Sequence, residues 1–163
     1  MQSQIDINKL TYRKGVIGIV IDGNNEFLIT QLVDYSENEW RFAGGGVDEG
    51  ETSEEALLRE LKEEVGSTSF KILRKSKHQI KYDWPMSVIE ARLIKKSVTY
   101  KGQVQDQFLV MFTGSRQEIV TKPDEIRKIK WVKYAELQNH FNFPNQWKDA
   151  EISLKELVPN LAD

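Results

Sequence analysis

The chain has 163 residues and no cysteine. That length suits one compact domain with a real core, and the missing cysteine excludes a disulfide framework, a thiolate metal site and a cysteine nucleophile. A net charge of −2 leaves no basic footprint for gripping a long nucleic-acid backbone, no apolar run approaches the roughly 18 to 20 residues that cross a bilayer, and Met1 to Asp6 lack the pattern of a secretory signal, so a cytoplasmic address is the default expectation.

In chain order, Val16 to Ile21 is a β-branched run that predicts a buried strand. Asp22-Gly23-Asn24-Asn25 supplies turn chemistry, and Phe27 to Val33 returns as a hairpin partner. A polar loop, Asp34 to Glu39, leads into Trp40-Arg41-Phe42 and the run Gly44-Gly45-Gly46. Thr52 followed by Glu55 fits a capping box, and Gly66 sits where the resulting helix needs its C-terminal cap. Strands are expected near 70–73, 79–82, 108–112 and 129–132, and two short helices over 135–140 and 146–157. No repeat, low-complexity stretch or linker interrupts residues 1–163, which read as a single domain. Strands on both sides of one strong helix indicate a mixed α/β (α+β) sandwich and not a doubly wound parallel fold.

Charge is concentrated in that helix. Between Asp48 and Glu64 eight acids stand against Arg59 and Lys62, so the segment carries −6 and the remainder of the chain +4. On a helical wheel Leu57, Leu58, Leu61 and Val65 share one apolar stripe expected to bury against the sheet, with Arg59 and Lys62 toward solvent and Arg59 also able to reach back toward Glu51 or across to Glu63. Glu60, Glu63 and Glu64, spaced i, i+3, i+4, gather on a second face. Carboxylates crowded in this way repel unless a cation sits between them, and hard divalent ions want such oxygen ligands. The loop Gly44 to Gly50 ends one turn before the helix, and its glycines let a backbone carbonyl approach the same cation. No Gly-Lys-Ser/Thr follows, so it is not a Walker loop. A solvated acidic helix face is the plainer alternative, although it leaves the fixed glycines and arginine without a purpose.

Residues 45–67 read Gly45, five residues, Glu51, seven residues, then Arg59-Glu60-Leu61-Lys62-Glu63-Glu64-Val65-Gly66. This resembles the Nudix box, matching every fixed position but the last, where Ser67 replaces an aliphatic residue. Further stretches are similar to one Nudix branch: Tyr12-Arg13, Trp40-Arg41-Phe42, Tyr82-Asp83-Trp84-Pro85, Lys101-Gly102-Gln103, Phe108 to Gly114 and Trp131-Val132. That branch holds the bacterial RNA 5′-pyrophosphohydrolases and the plant-type diadenosine tetraphosphate hydrolases. Two departures bear on substrate. Phe42-Ala43 stands where the branch has Pro-Gln before its two glycines, and Gln31-Leu32 stands where its RNA-acting members carry arginines.

The resemblance implies a Nudix-like α/β/α sandwich and a Mg²⁺- or Mn²⁺-dependent hydrolase acting on a phosphoanhydride bond. Its substrate would be a (di)nucleoside polyphosphate or the 5′-triphosphate end of an RNA, with neither a membrane nor extended nucleic acid as partner. By the same resemblance Glu60, Glu63 and Glu64 bind the metal with a carbonyl from Gly44 or Gly45, and Glu51 with Arg59 orients them. Glu125, six residues before Trp131, matches an additional ligand or base of the branch; its alternative is a loop acid beside Lys122 and Arg127. Arg13 is a candidate phosphate contact or else a surface ion pair. Tyr82 and Phe143 are candidate base-stacking residues or else core aromatics. His78 and His140 have no metal-ligand spacing and receive no role. Two further readings stand beside this one: a broader nucleoside triphosphate, ADP-ribose or nucleotide-sugar pyrophosphatase, and a catalytically silent nucleotide-binding domain.

Overall fold

The computed structural model describes residues 5–96 and 99–162. Its axis is strand β1 (Tyr12–Ile21), which runs parallel to β6 (Gly102–Phe112) from Tyr12↔Gly102 to Ile21↔Met111. On the other flank of β1, β3 (Ala43–Gly46) pairs antiparallel with residues 15–18, and β2 (Phe27–Leu32) meets the far end at Ile21↔Phe27. The outer edge of β2 pairs antiparallel with β7 (Ile126–Val132). The outer edge of β6 is shared end to end by β4 (Phe70–Lys75) and β5 (Ile80–Asp83), both antiparallel. The described residues thus form one mixed seven-stranded sheet.

Both faces of this sheet are covered, which explains why β1 is apolar almost continuously instead of alternating. Val16 and Val20 face helix α1 (Ser53–Val65) and pack with Leu57, Leu61, Val65, Phe108 and Val110. Ile19 and Ile21 face the opposite side, where α3 (Tyr134–His140) and α4 (Gln146–Leu157) contribute Leu137, Ala150, Leu154 and Leu157. The result is the expected α/β/α sandwich, completed by α2 (Met86–Lys96) after β5 and the short α5 (Pro159–Ala162).

The structure changes several expectations. Leu58 is not part of the buried stripe and is 43% exposed; it lies about 100° around the helix from Leu57, and fully buried Ala56 takes its place. Helix α2 was not among the expected elements; its one buried residue is Ile89, and Ile94 points into solvent. Strands β1 and β6 begin several residues earlier than their apolar runs, through Arg13, Lys14, Gln103 and Asp106. The glycine run itself is strand β3. Ser67, where the family pattern has an aliphatic residue, is buried. Its hydroxyl accepts from Ser69 N (3.0 Å) and donates to Glu118 (3.4 Å), so a small polar cluster fills the aliphatic position.

Helix α1 is tightly delimited. Thr52 Oγ1 accepts from Glu55 N and the Glu55 carboxylate accepts from Thr52 N, both at 3.1 Å. At the other end Gly66 adopts φ 69° and donates to Lys62 O (2.9 Å). A Cβ on Gly66 would be strained by that φ and would stand 2.0 Å from Val120 O, backbone that is itself pinned by Val120 N donating to Val65 O. Gly66→Ala should therefore cost about 2 kcal/mol, lowering the thermal midpoint by roughly 4–8 °C. An unchanged midpoint in a calorimetric scan would show that this cap does not delimit the helix as described.

Candidate active site

Strand β3 has no side chains beyond Ala43, and what surrounds it explains why. An added Cβ on Gly45 would lie 2.3 Å from the Glu60 carboxyl carbon, and one on Gly46 would lie 2.1 Å from Arg13 Nη2. Successive strand residues face opposite sides. One bare strand therefore has a carboxylate of α1 against one face and the guanidinium of Arg13 against the other. The register brings further groups alongside: Arg13 is opposite Gln103, and Gln103 is opposite Tyr82 on β5, whose hydroxyl donates to Gln103 Oε1 (3.2 Å).

On the α1 side the three glutamates sit differently from one another. Glu64 is buried: its carboxylate accepts from Gly44 N (3.3 Å) and from Arg41, whose Nη2 also donates to Gly44 O (3.2 Å). Burial pushes its pKa up to about 7, outweighing the attraction of Arg41. Glu60 is also pushed up, chiefly by burial, against the pull of Arg59. Glu63 is half exposed and touches Arg59 at 3.4 Å. Among the described residues no three acidic or histidine side chains converge closely enough to hold an ion, because Arg41 and Arg59 engage the carboxylates instead.

Arg59 reaches back to Glu51 and across to Glu63, as its place on the helix allowed. Its Nε and Nη2 grip both oxygens of Glu51 (2.7 and 2.8 Å), Nη2 reaches Gly46 O (2.9 Å) and Nη1 reaches Glu60 (3.0 Å). Glu51 in turn accepts from Asp48 N at 2.8 Å, and its bond to Arg59 holds its pKa down to about 2. One guanidinium thus ties the loop before α1, the end of β3 and the first carboxylate into a fixed unit.

The other sequence candidates fall around this unit. Glu125 is exposed, holds Lys122 at 3.0 Å and lies near enough to Glu64 for its charge to help raise that group. Tyr82 is 44% exposed and is not a core aromatic. Phe143 is half-buried, edge-on to Tyr35 at 5.1 Å, and does not meet Tyr82. Gln31, where the family resemblance led to an expected arginine, is buried and donates to the carbonyls of Ser36, Glu37 and Glu39, moulding the loop after β2 from inside. His78 pairs with Asp149 and His140 with Glu136 O, both away from the carboxylates. Sequence reasoning missed Arg41, which no spacing rule connects to Glu64, and Arg92, which stacks on Trp84 (4.3 Å) close enough to Arg13 for repulsion to lower its pKa further below the value burial sets.

The donor set fits a hard divalent cation. It is all oxygen, two of its carboxylates are buried beyond what neighbouring guanidiniums offset, and the glycine strand has no side chain that would hold a cation off its backbone, although Arg41 and Arg59 now take the Gly44 and Gly46 carbonyls. The buried state of Glu64 also sets a pH dependence. Its folded pKa of about 7 exceeds the ordinary 4.5, so its stabilising protonated form is fully present below pH 4.5 and lost as pH rises through 7. Metal-free protein should lose on the order of 3 kcal/mol of stability across that window, and saturating Mg²⁺ should reduce the loss. Denaturant titrations at several pH values with and without Mg²⁺ would check this, and stability that rises from pH 4.5 to 7 without metal would contradict it.

Comparisons with known proteins agree with this geometry. The family model described as NUDIX domain matches residues 11–155. An RNA pyrophosphohydrolase of Nitratiruptor sp. is 35% identical over 142 residues, covering 84% of this chain and 88% of the relative. The chloroplastic Nudix hydrolase 26 of Arabidopsis thaliana is 37% identical over 147 residues, covering 90% and 65%. The structure of the Escherichia coli dihydroneopterin triphosphate pyrophosphohydrolase superposes with a TM-score of 0.68 at 20% identity, covering 92% of this chain and 99% of that one. Through its box, its fold and these relatives, the chain belongs to the Nudix family of hydrolases.

Proposed function

We propose that this pyrophosphohydrolase acts on the 5′-triphosphate end of RNA, using Mg²⁺ or Mn²⁺, with dinucleoside polyphosphates as the second substrate class. The observation that carries the reading is strand β3, where the backbone alone separates the carboxylate side from Arg13. A cation-binding face and an anion-binding arginine so close together suit a substrate with several consecutive phosphates. The relative from Nitratiruptor, aligned over most of both chains, supports the choice of RNA ends. The second class remains because Gln31 supplies no guanidinium to a splayed base and instead holds its own loop.

Glu60, Glu63 and Glu64, with a carbonyl of Gly44 or Gly45, would hold the cation. Bound there, a divalent ion neutralises phosphate charge and makes water easier to deprotonate. The chain's own groups do the rest. Arg59 and Glu51 keep the carboxylates and the β3 carbonyls in register, and Arg13 orients the phosphate chain from the other side of β3. Glu125, exposed and paired with Lys122, would act as the proton acceptor for the attacking water or as an added oxygen ligand. Exposed Tyr82 would offer its ring to the first base, and Phe143, edge-on to Tyr35, would be the second aromatic available to the substrate. The +4 of the rest of the chain is spread over the body, so the grip is on an end and not along a nucleic-acid backbone. The cytoplasm is the compartment this reading implies. Retention of every mutually repelling glutamate weighs against a silent binding domain.

Values of kcat/KM for triphosphate RNA, diadenosine tetraphosphate, ADP-ribose and a simple nucleoside triphosphate would test the assignment. RNA or the dinucleotide should exceed ADP-ribose at least tenfold, about 1.4 kcal/mol in transition-state binding. A tenfold preference for ADP-ribose would reassign the substrate while leaving the family chemistry in place.

A further inference from the structure

The two arginines among the glutamates are held in different ways. Arg59 is locked: three of its nitrogens are bonded, to Glu51, to Gly46 O and to Glu60. Arg41 makes its contacts through one nitrogen. Nη2 serves both Glu64 and Gly44 O, while its buried Nε has no hydrogen-bond partner. A buried N–H without an acceptor is unfavourable, so this pose is one the side chain has reason to leave. The atoms it occupies are the Glu64 carboxylate and the Gly44 carbonyl, two of the oxygens that would ligate the cation.

We infer that Arg41 is an internal counter-ion that the divalent cation displaces, releasing its guanidinium toward the mouth of the site when metal binds. The inference rests on the metal-site reading given above. A buried carboxylate without a positive partner is unfavourable, and Arg41 supplies that partner in the metal-free protein. A divalent ion offers twice the charge and takes the same oxygens, so the two cations compete. The orphaned Nε would find an acceptor in water or a substrate phosphate oxygen once it is released. Arg41 is on this account a positioning residue, and its loss should strengthen metal binding, whereas a merely structural arginine would weaken it.

The test is Mn²⁺ binding by calorimetry without nucleotide, on wild type, Arg41→Gln, Arg41→Lys and Glu63→Gln. Arg41→Gln should bind Mn²⁺ about tenfold more tightly than wild type, 1.4 kcal/mol. Arg41→Lys, which keeps the charge, should bind like wild type. Glu63→Gln, altering a half-exposed ligand, should bind more weakly. Should Glu63→Gln bind as well as wild type, the metal-site reading itself fails and the counter-ion with it. With Glu63→Gln weakened, unchanged or weaker binding by Arg41→Gln would overturn the counter-ion alone. If Arg41→Gln fails to fold, wild-type protein decides: Mg²⁺ should speed solvent exchange of the Arg41 Nε–H as the side chain swings out, and unaltered exchange would refute the displacement.

Discussion

The rest of the structure depends on one unfavourable arrangement, the burial of the Glu64 carboxylate against a strand of glycines. In water a carboxylate is ionised well below neutrality, yet here desolvation pushes it to about 7 although a guanidinium touches it. A fold has little reason to keep such a group unless a stronger cation arrives to complete it. Much of what surrounds Glu64 becomes intelligible as a means of holding it in place. Leu57, Leu61 and Val65 press α1 onto the sheet so that Glu60 and Glu64 cannot swing into solvent. The capping box and Gly66 set where the helix begins and ends, and hence which residues face β3.

The same constraint accounts for the composition of β3. A side chain on Gly45 would collide with Glu60, and one on Gly44 would stand 2.1 Å from Val16 O. Gly46 must be bare for a different reason, since Arg13 crosses over it. The strand therefore lets two opposite chemistries approach from its two faces, which a phosphate chain and its counter-ion require. Arg59 fixes the distance between helix and strand. Glu51, outside the helix, serves chiefly to aim Arg59, and the bond between them depresses Glu51 while burial elevates Glu64.

Where local rules dominate, the sequence was a good guide. The cap residues Thr52, Glu55 and Gly66, the strand of β-branched residues at 16–21 and the spacing of the box all express interactions within a few residues. Family membership was legible for the same reason, because the box is one helix and its approach. What was not legible arises from contacts distant in sequence. Arg41 and Glu64 are brought together only by the packing of β3 on α1. Polar residues at the starts of β1 and β6 gave no strand signal, although their parallel pairing carries Arg13 and Gln103 to the site. Helix α2, which buries only Ile89, was not expected although Met86, Ile89 and Leu93 stand at helical spacing. Ser67 and Gln31 looked like losses relative to the family pattern, but each makes hydrogen bonds that its sequence neighbours alone do not announce.

The central claim is that Glu64 is kept buried for catalysis at the expense of the metal-free fold, which above neutral pH must hold it charged. Replacing it by its neutral isostere tests both halves in one protein. Glu64→Gln, compared with wild type at pH 8 without metal, should be more stable by an amount on the order of 1–3 kcal/mol, and with Mg²⁺ its turnover of triphosphate RNA should fall at least a hundredfold, about 2.7 kcal/mol or more in activation free energy. A variant that is less stable than wild type and still turns over at a similar rate would contradict the account.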